Sequence, residues 1–190
     1  NPTPAQARAV GVALAQAHLA AHDFPMAREN TLAPSDTLAI LAQCGAAALG
    51  TVDPHLPAML DTGETIVRDW PEDLPRSIIH SDLFPDNVLM LDDRVTGMID
   101  FYFACNDAFA YDLAICLNAW CFEHDGSFNI TKARGLLQAY TQVRPLGRGE
   151  LDALPLLARG SALRFALTRL YDLINHTPGA LVQPKNPKEF

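Results

Sequence analysis

The sequence is short of lysine and has no long apolar run. Lysine occurs only at Lys132, Lys185 and Lys188; Lys and Arg together number 14 against 22 Asp and Glu, a formal charge of −8. So acidic a chain lacks the basic face that grips phosphate backbones, and no nucleic-acid partner is expected. No apolar run reaches the roughly 18 residues of a membrane span, so no membrane partner is expected either. No signal-peptide pattern opens the chain. The four cysteines, Cys44, Cys105, Cys116 and Cys121, lack the density and spacing of a disulfide scaffold. A reducing, cytoplasmic location is therefore expected. The 11 glycines are scattered and form no Gly-rich loop. The opening residues Asn1-Pro2-Thr3-Pro4 carry no Met and run straight into helical pattern, so the chain is expected to be a piece of a longer protein. Its oligomeric state is not legible.

What is present is an ordinary globular balance. Hydrophobic residues make up 49% and charged residues 19% of 190. That length suits one domain and buries on the order of 70% of the unfolded surface. Helical periodicity dominates. Thr3, Pro4 and Gln6 form an N-terminal capping signal for a helix to about Ala21, with Val10, Leu14 and Ala17 on its buried face. Ser35 can cap a second helix to about Leu49, and residues 54–70 are weakly helical. Residues 108–122 are too apolar for a surface helix and too short for a membrane, so they read as a central buried helix carrying Asp112. Further helices are expected over 131–143 and roughly 149–175, the latter interrupted or kinked at Pro155. The tail from Pro178 reads as extended.

Near the middle the period changes to that of strands. Ser77-Ile78-Ile79 reads as one, and Asn87–Leu91 with Val95–Asp100 as a hairpin turning at Asp92-Asp93-Arg94. If the turn is centred between Asp93 and Arg94, Asn87 faces Asp100 across the open end, at a Cα separation of about 4.5–5.5 Å. Asp82, five residues before Asn87, hangs over the same end. One amide oxygen and one carboxylate beside a second carboxylate suit Mg²⁺ carrying a phosphorylated substrate. Phosphoryl transfer also needs a group to orient the attacking hydroxyl and accept its proton. Asp82 is placed for that task, and Asn87 and Asp100 for the metal.

The stretch His80-Ser81-Asp82 to Asn87, followed by Ile99-Asp100-Phe101, resembles the catalytic and metal loops of the protein-kinase-like fold, in the aminoglycoside phosphotransferase and choline kinase variant. From Ile99 through Asn106-Asp107, Tyr111-Asp112-Leu113 and Asn118-Ala119-Trp120, and again at Leu163-Arg164-Phe165 and Arg169-Leu170-Tyr171-Asp172, the chain is similar to the homoserine kinases of this fold. The resemblance implies a mainly helical α+β architecture: the C-terminal lobe of a kinase-like fold, spanning 1–190 and built on a small catalytic β-hairpin. It implies ATP-dependent phosphotransfer to a small hydroxylated metabolite, L-homoserine in threonine biosynthesis, with choline- or aminoglycoside-type acceptors or a catalytically inactive binding module as alternatives. Mg²⁺ and ATP are the expected cofactor and co-substrate. His80 would support the catalytic loop, and Asp112 would brace it from the buried helix.

Acceptor contacts are expected from Asp107 to an ammonium group, and from Arg164 or Arg169, by resemblance, to a carboxylate; Tyr102 would line the pocket. Arg159, Arg164 and Arg169 step about 140° around a helix, so they do not share a face, and at least one is an ordinary surface arginine. Cys116 and Cys121 lack a second ligand pair and read as buried thiols rather than a zinc site.

Kinases of this fold also need an N-terminal ATP-binding lobe with a phosphate-covering loop and a strand lysine. All three lysines follow Asp100, so that lobe is expected to be absent from this chain. The 190-residue chain by itself should therefore turn over no ATP. Appreciable phosphorylation by the isolated chain would overturn that expectation.

Overall fold

The computed structural model describes residues 1–44, 50 and 56–175. Its helices are α1 (Pro4–Ala20), α2 (Pro34–Cys44), α3 (Leu56–Arg68), α4 (Phe109–Cys121), α5 (Ile130–Val143) and α6 (Arg148–Ile174). Four short strands, β1 (Arg76–Ile79), β2 (Val88–Leu91), β3 (Arg94–Met98) and β4 (Cys105–Ala108), lie between α3 and α4. They pair as two antiparallel ribbons, β1 with β4 and β2 with β3. The expected end of the second helix near Leu49 and the tail from Pro178 lie outside the described residues.

The described chain divides into two compact units, each taken by itself below. The first comprises Asn1–Asn30 and Pro71–Ala158. In it, α1 begins with a complete capping box: Gln6 N donates to Thr3 Oγ1 at 3.1 Å, and Thr3 N donates to Gln6 Oε1 at 2.9 Å. The same two residues reach the hairpin turn. Thr3 Oγ1 donates to Asp93 Oδ1 and Gln6 Nε2 to the Asp92 carbonyl. Ala7, Val10 and Leu14 of α1, Leu113, Ala114 and Ile115 of α4, and Leu136 and Tyr140 of α5 are fully buried and make the core of this unit. Cys105, Cys116 and Cys121 are buried free thiols, as the composition suggested. The second unit takes up 31–70, with α2 and α3, and the chain from 159 on, with the second half of α6. Pro155 lies inside α6, which continues through it as one helix.

Two expectations change. The hairpin turns one residue earlier than expected: Leu91 pairs with Arg94, so the turn is Asp92-Asp93, with Asp92 left-handed at φ 55°. Aspartate tolerates that conformation because its short polar side chain bonds locally. Pairing then shifts between Leu89 and Met90, leaving Thr96 as the extra residue, its hydroxyl donating to the Leu89 carbonyl at 3.0 Å. In consequence Ile99, not Asp100, stands across from Asn87, and Ile99 N donates to the Asn87 carbonyl at 3.0 Å. The second change is β4, over which the sequence reading named no strand and whose last residue, Ala108, it gave to the following helix.

Helix α1 lies unusually close to α5. A Cβ on Gly11 would stand 2.4 Å from the Leu136 carbonyl oxygen, a backbone atom that cannot swing aside. Gly11→Ala should therefore destabilise the fold by about 1–3 kcal/mol despite the better helix propensity of alanine. Denaturant unfolding of the two proteins checks this, and equal midpoints would refute the close approach.

Candidate active site

The site is a loop pinned from below by one helix face. Asp112, Cys116 and Trp120 are spaced four apart on α4 and point along one side of it. All three reach the segment 80–83. Asp112, fully buried, accepts from His80 N at 2.8 Å and from Ser81 N at 2.8 Å. Trp120 Nε1 donates to the Leu83 carbonyl at 2.8 Å, and Cys116 Sγ approaches the same oxygen at 3.8 Å. Ser81 is left-handed, at φ 66°. That backbone costs about 1–2 kcal/mol for a residue with a Cβ, and the carboxylate clamp on two consecutive amides holds it.

His80 carries the order onward. It is buried, its Nδ1 accepts from Asp82 N at 3.3 Å, and its Nε2 faces the Ile99 carbonyl at 3.0 Å. An imidazole protonated on Nε2 satisfies both contacts. His80 thus ties the Asp82 loop to the residue before Asp100, with its ring 4.5 Å from that of Phe101.

Asp82 and Asn87 are in direct contact. Pro85–Asn87 form one 3-10 turn, which brings Asn87 Nδ2 back to the Asp82 carbonyl at 2.8 Å and to its Oδ2 at 3.3 Å. The amide nitrogen is thus engaged, while Asn87 Oδ1 has no protein partner among the described residues. Asp100 is exposed and left-handed at φ 61°, and its carboxylate also has no partner among them. These are hard oxygen donors of the kind Mg²⁺ takes alongside water and phosphate oxygens. Among the described residues no group of three His, Cys, Asp or Glu could enclose a metal, so an ion held by Asn87 and Asp100 would draw its remaining ligands from substrate and solvent.

The expected acceptor contacts fare differently from one another. Asp107 is nearly buried and both its oxygens are engaged: Oδ2 accepts from Asn30 Nδ2 at 2.7 Å, and Oδ1 from Arg76 NH2 at 3.2 Å and Ala108 N at 2.7 Å. Tyr102 is 70% exposed on the 3-10 turn Phe101–Phe103, immediately after Asp100. Arg164 and Arg169 are buried on the part of α6 that belongs to the second unit, while Arg159 is exposed, the ordinary surface arginine of the three.

Sequence reading missed His18. Its Nε2 meets Asp112 Oδ2 at 3.0 Å and its Nδ1 meets the Tyr140 hydroxyl at 2.8 Å, both buried. The signal was present: His18 continues the stripe Val10, Leu14 on α1, and a polar residue on a buried stripe requires a partner. The Trp120 indole donor to the Leu83 carbonyl likewise went unread.

Burial alone pushes the Asp112 carboxyl up. The hydrogen bond from His18, the neighbouring imidazoles of His18 and His80, and the His80 amide outweigh it and hold the group below its ordinary value. A carboxylate depressed on folding contributes stability that is fully present above the unfolded pKa of about 3.9 and is lost as pH falls through the lower folded value. Asp112→Asn should cost on the order of 2–4 kcal/mol at neutral pH and should flatten the loss of stability below about pH 4. Urea unfolding at pH 7 and pH 3.5 measures both. Parallel losses in the two proteins would exclude the clamp as a source of acid sensitivity.

Comparison with known proteins gives the family and the fold. The family model of the phosphotransferase enzyme family (APH) matches residues 1–146. A homoserine kinase of Parvibaculum lavamentivorans is 61% identical over 191 residues, taking in 100% of this chain and 59% of its own. A homoserine kinase of Nitrobacter hamburgensis is 56% identical over 191 residues, covering 100% of this chain and 58% of its own. The chain therefore spans a little under three fifths of the curated relatives it matches. A solved choline/ethanolamine kinase family protein from Mesorhizobium loti superposes with a TM-score of 0.63 at 20% identity, over 93% of this chain and 57% of that one, which shows the fold. The expected mainly helical α+β fold is the one observed, and on its match over residues 1–146 the chain belongs to the phosphotransferase enzyme family (APH).

Proposed function

We propose that the whole protein transfers the γ-phosphoryl group of ATP to the hydroxyl of L-homoserine. Asp82 is the residue that orients the acceptor hydroxyl and takes its proton. Its backbone is fixed by His80, and its carboxylate receives the Asn87 amide, so its position is set before any substrate arrives. Asn87 Oδ1 and the Asp100 carboxylate are the protein's ligands for Mg²⁺, which when bound neutralises charge developing on the phosphate oxygens. The acceptor oxygen attacks the γ-phosphorus in line, the bond to the bridging β,γ-oxygen breaks, ADP leaves, and the hydroxyl proton passes to Asp82.

The observation that carries this reading is the pairing of Asp82 with Asn87 at 2.8 and 3.3 Å while the Asn87 oxygen and the Asp100 carboxylate stay unpartnered among the described residues. The choice of homoserine is supported by relatives 52–61% identical over the whole chain that carry that name. Elements that cover the ATP phosphates would come from the portion of the relatives' length this chain does not span. The cytoplasm, where ATP and Mg²⁺ are plentiful, is the compartment this chemistry requires. Asp107, with both oxygens already engaged, supports a framing role better than direct contact with an acceptor ammonium.

The test uses the full-length protein. Wild type should phosphorylate homoserine in preference to choline or aminoglycosides. Asp82→Asn should lower kcat by about 10²–10⁴-fold with little change in KM for ATP. Unchanged kcat would remove Asp82 from the mechanism, and preference for another acceptor would reassign the substrate while leaving the chemistry in place.

A further inference from the structure

In the first unit Arg76, Lys132, Arg144 and Arg148 are each paired with a carboxylate. Arg28, like Arg8, Arg94 and Arg134, has no carboxylate partner among the described residues, but it is held at both ends. Its backbone N donates to Asn106 Oδ1 at 2.8 Å, and its carbonyl accepts from Asn106 N at 2.7 Å. The next residue, Glu29, bridges to Asn106, and Asn30 donates to Asp107, so the segment 28–30 lies along β4 as an added edge. At the far end of the side chain, guanidinium NH1 donates to the Tyr102 carbonyl, and the guanidinium carbon sits 5.7 Å from the centre of the Tyr102 ring. An exposed arginine ordinarily keeps its rotamer freedom; here much of that freedom is already lost.

The contact falls beside the metal-side segment. Tyr102 is two residues past Asp100, and two residues span at most about 7 Å. With NH1 committed to the Tyr102 carbonyl, the Nε and NH2 donors of Arg28 have no protein partner among the described residues. Those two donors form one edge of the guanidinium, the parallel fork that matches a carboxylate. We infer that Arg28 is the receptor for the α-carboxylate of the acceptor, and hence a specificity residue that separates hydroxyamino acids from uncharged-end alcohols. The inference rests on the proposed phosphotransfer to homoserine.

The experiment compares homoserine with its neutral carboxamide as acceptors for the full-length enzyme, in wild type, Arg28→Gln and Arg28→Lys. Wild type should favour the carboxylate form in kcat/KM by about 10- to 100-fold, the effect of a charge-assisted, two-pronged contact. Arg28→Gln should bring that ratio to within about threefold, chiefly through KM for homoserine, with KM for ATP unchanged, and Arg28→Lys should restore part of it. Equal losses on both acceptors in Arg28→Gln would make Arg28 a structural strap and overturn the assignment, while homoserine turnover by wild type would leave the functional reading standing. A wild type with no preference for the carboxylate form would also overturn it. No homoserine turnover by wild type would overturn the functional reading, and this assignment with it.

Discussion

A single buried carboxylate organises this protein's chemistry. Asp112 has no solvent exposure, and an ion there without partners would be prohibitively costly. It has three: the His80 amide, the Ser81 amide and the His18 imidazole. The amides need it as much as it needs them, because both lie where no strand or helix could satisfy them. The exchange fixes a left-handed Ser81, which turns the chain sharply enough for Asp82 to emerge beside the 3-10 turn that carries Asn87. The same helix face supplies Trp120 and Cys116 to the Leu83 carbonyl, so the loop is held on both sides of Asp82. His18 extends the arrangement to α1 and Tyr140 of α5. Three helices therefore converge on a loop of four residues, and the loop is rigid because its support is core rather than surface.

The sequence made the long periodic elements legible for physical reasons that the structure bears out. The box at Thr3 and Gln6 and the apolar run of α4 both act locally, within a turn of the residues that encode them. What was not legible depended on distant partners. Cys105–Ala108 has no β-branched residue and becomes a strand only because β1 lies alongside and the segment around Glu29 adds to its other edge. The hairpin was visible, but its register was not, since one left-handed aspartate decides where the turn is centred.

The candidate site divides along the same line. Asp82, Asn87, His80 and Asp100 were readable because their spacing along one loop and one hairpin carries the geometry. With the shift in register, the tie from the loop to the Asp100 segment is the His80 contact to the Ile99 carbonyl, one residue before Asp100, rather than cross-strand pairing of Asp100 with Asn87. Asp107 was read as a free acid, and only the fold reveals that Arg76 and Asn30 already occupy it. Those partners come from 31 and 77 residues away in sequence, beyond the reach of any local pattern.

On the proposed function, the contrast between Asp112 and Asp100 expresses how the chain would separate support from chemistry. A carboxylate meant to hold a loop can be buried, because its partners are part of the same fold and never leave. A carboxylate meant to hold an ion that comes and goes cannot: without the ion it would be a buried, uncompensated charge. Asp100 is accordingly exposed, and water solvates it whenever no ligand does. What the fold specifies at Asp100 is its backbone, held left-handed one residue beyond a carbonyl that a buried histidine grips. The backbone direction of Asp100 is thus built in while its charge stays solvated, which is what a ligand-binding carboxylate would require.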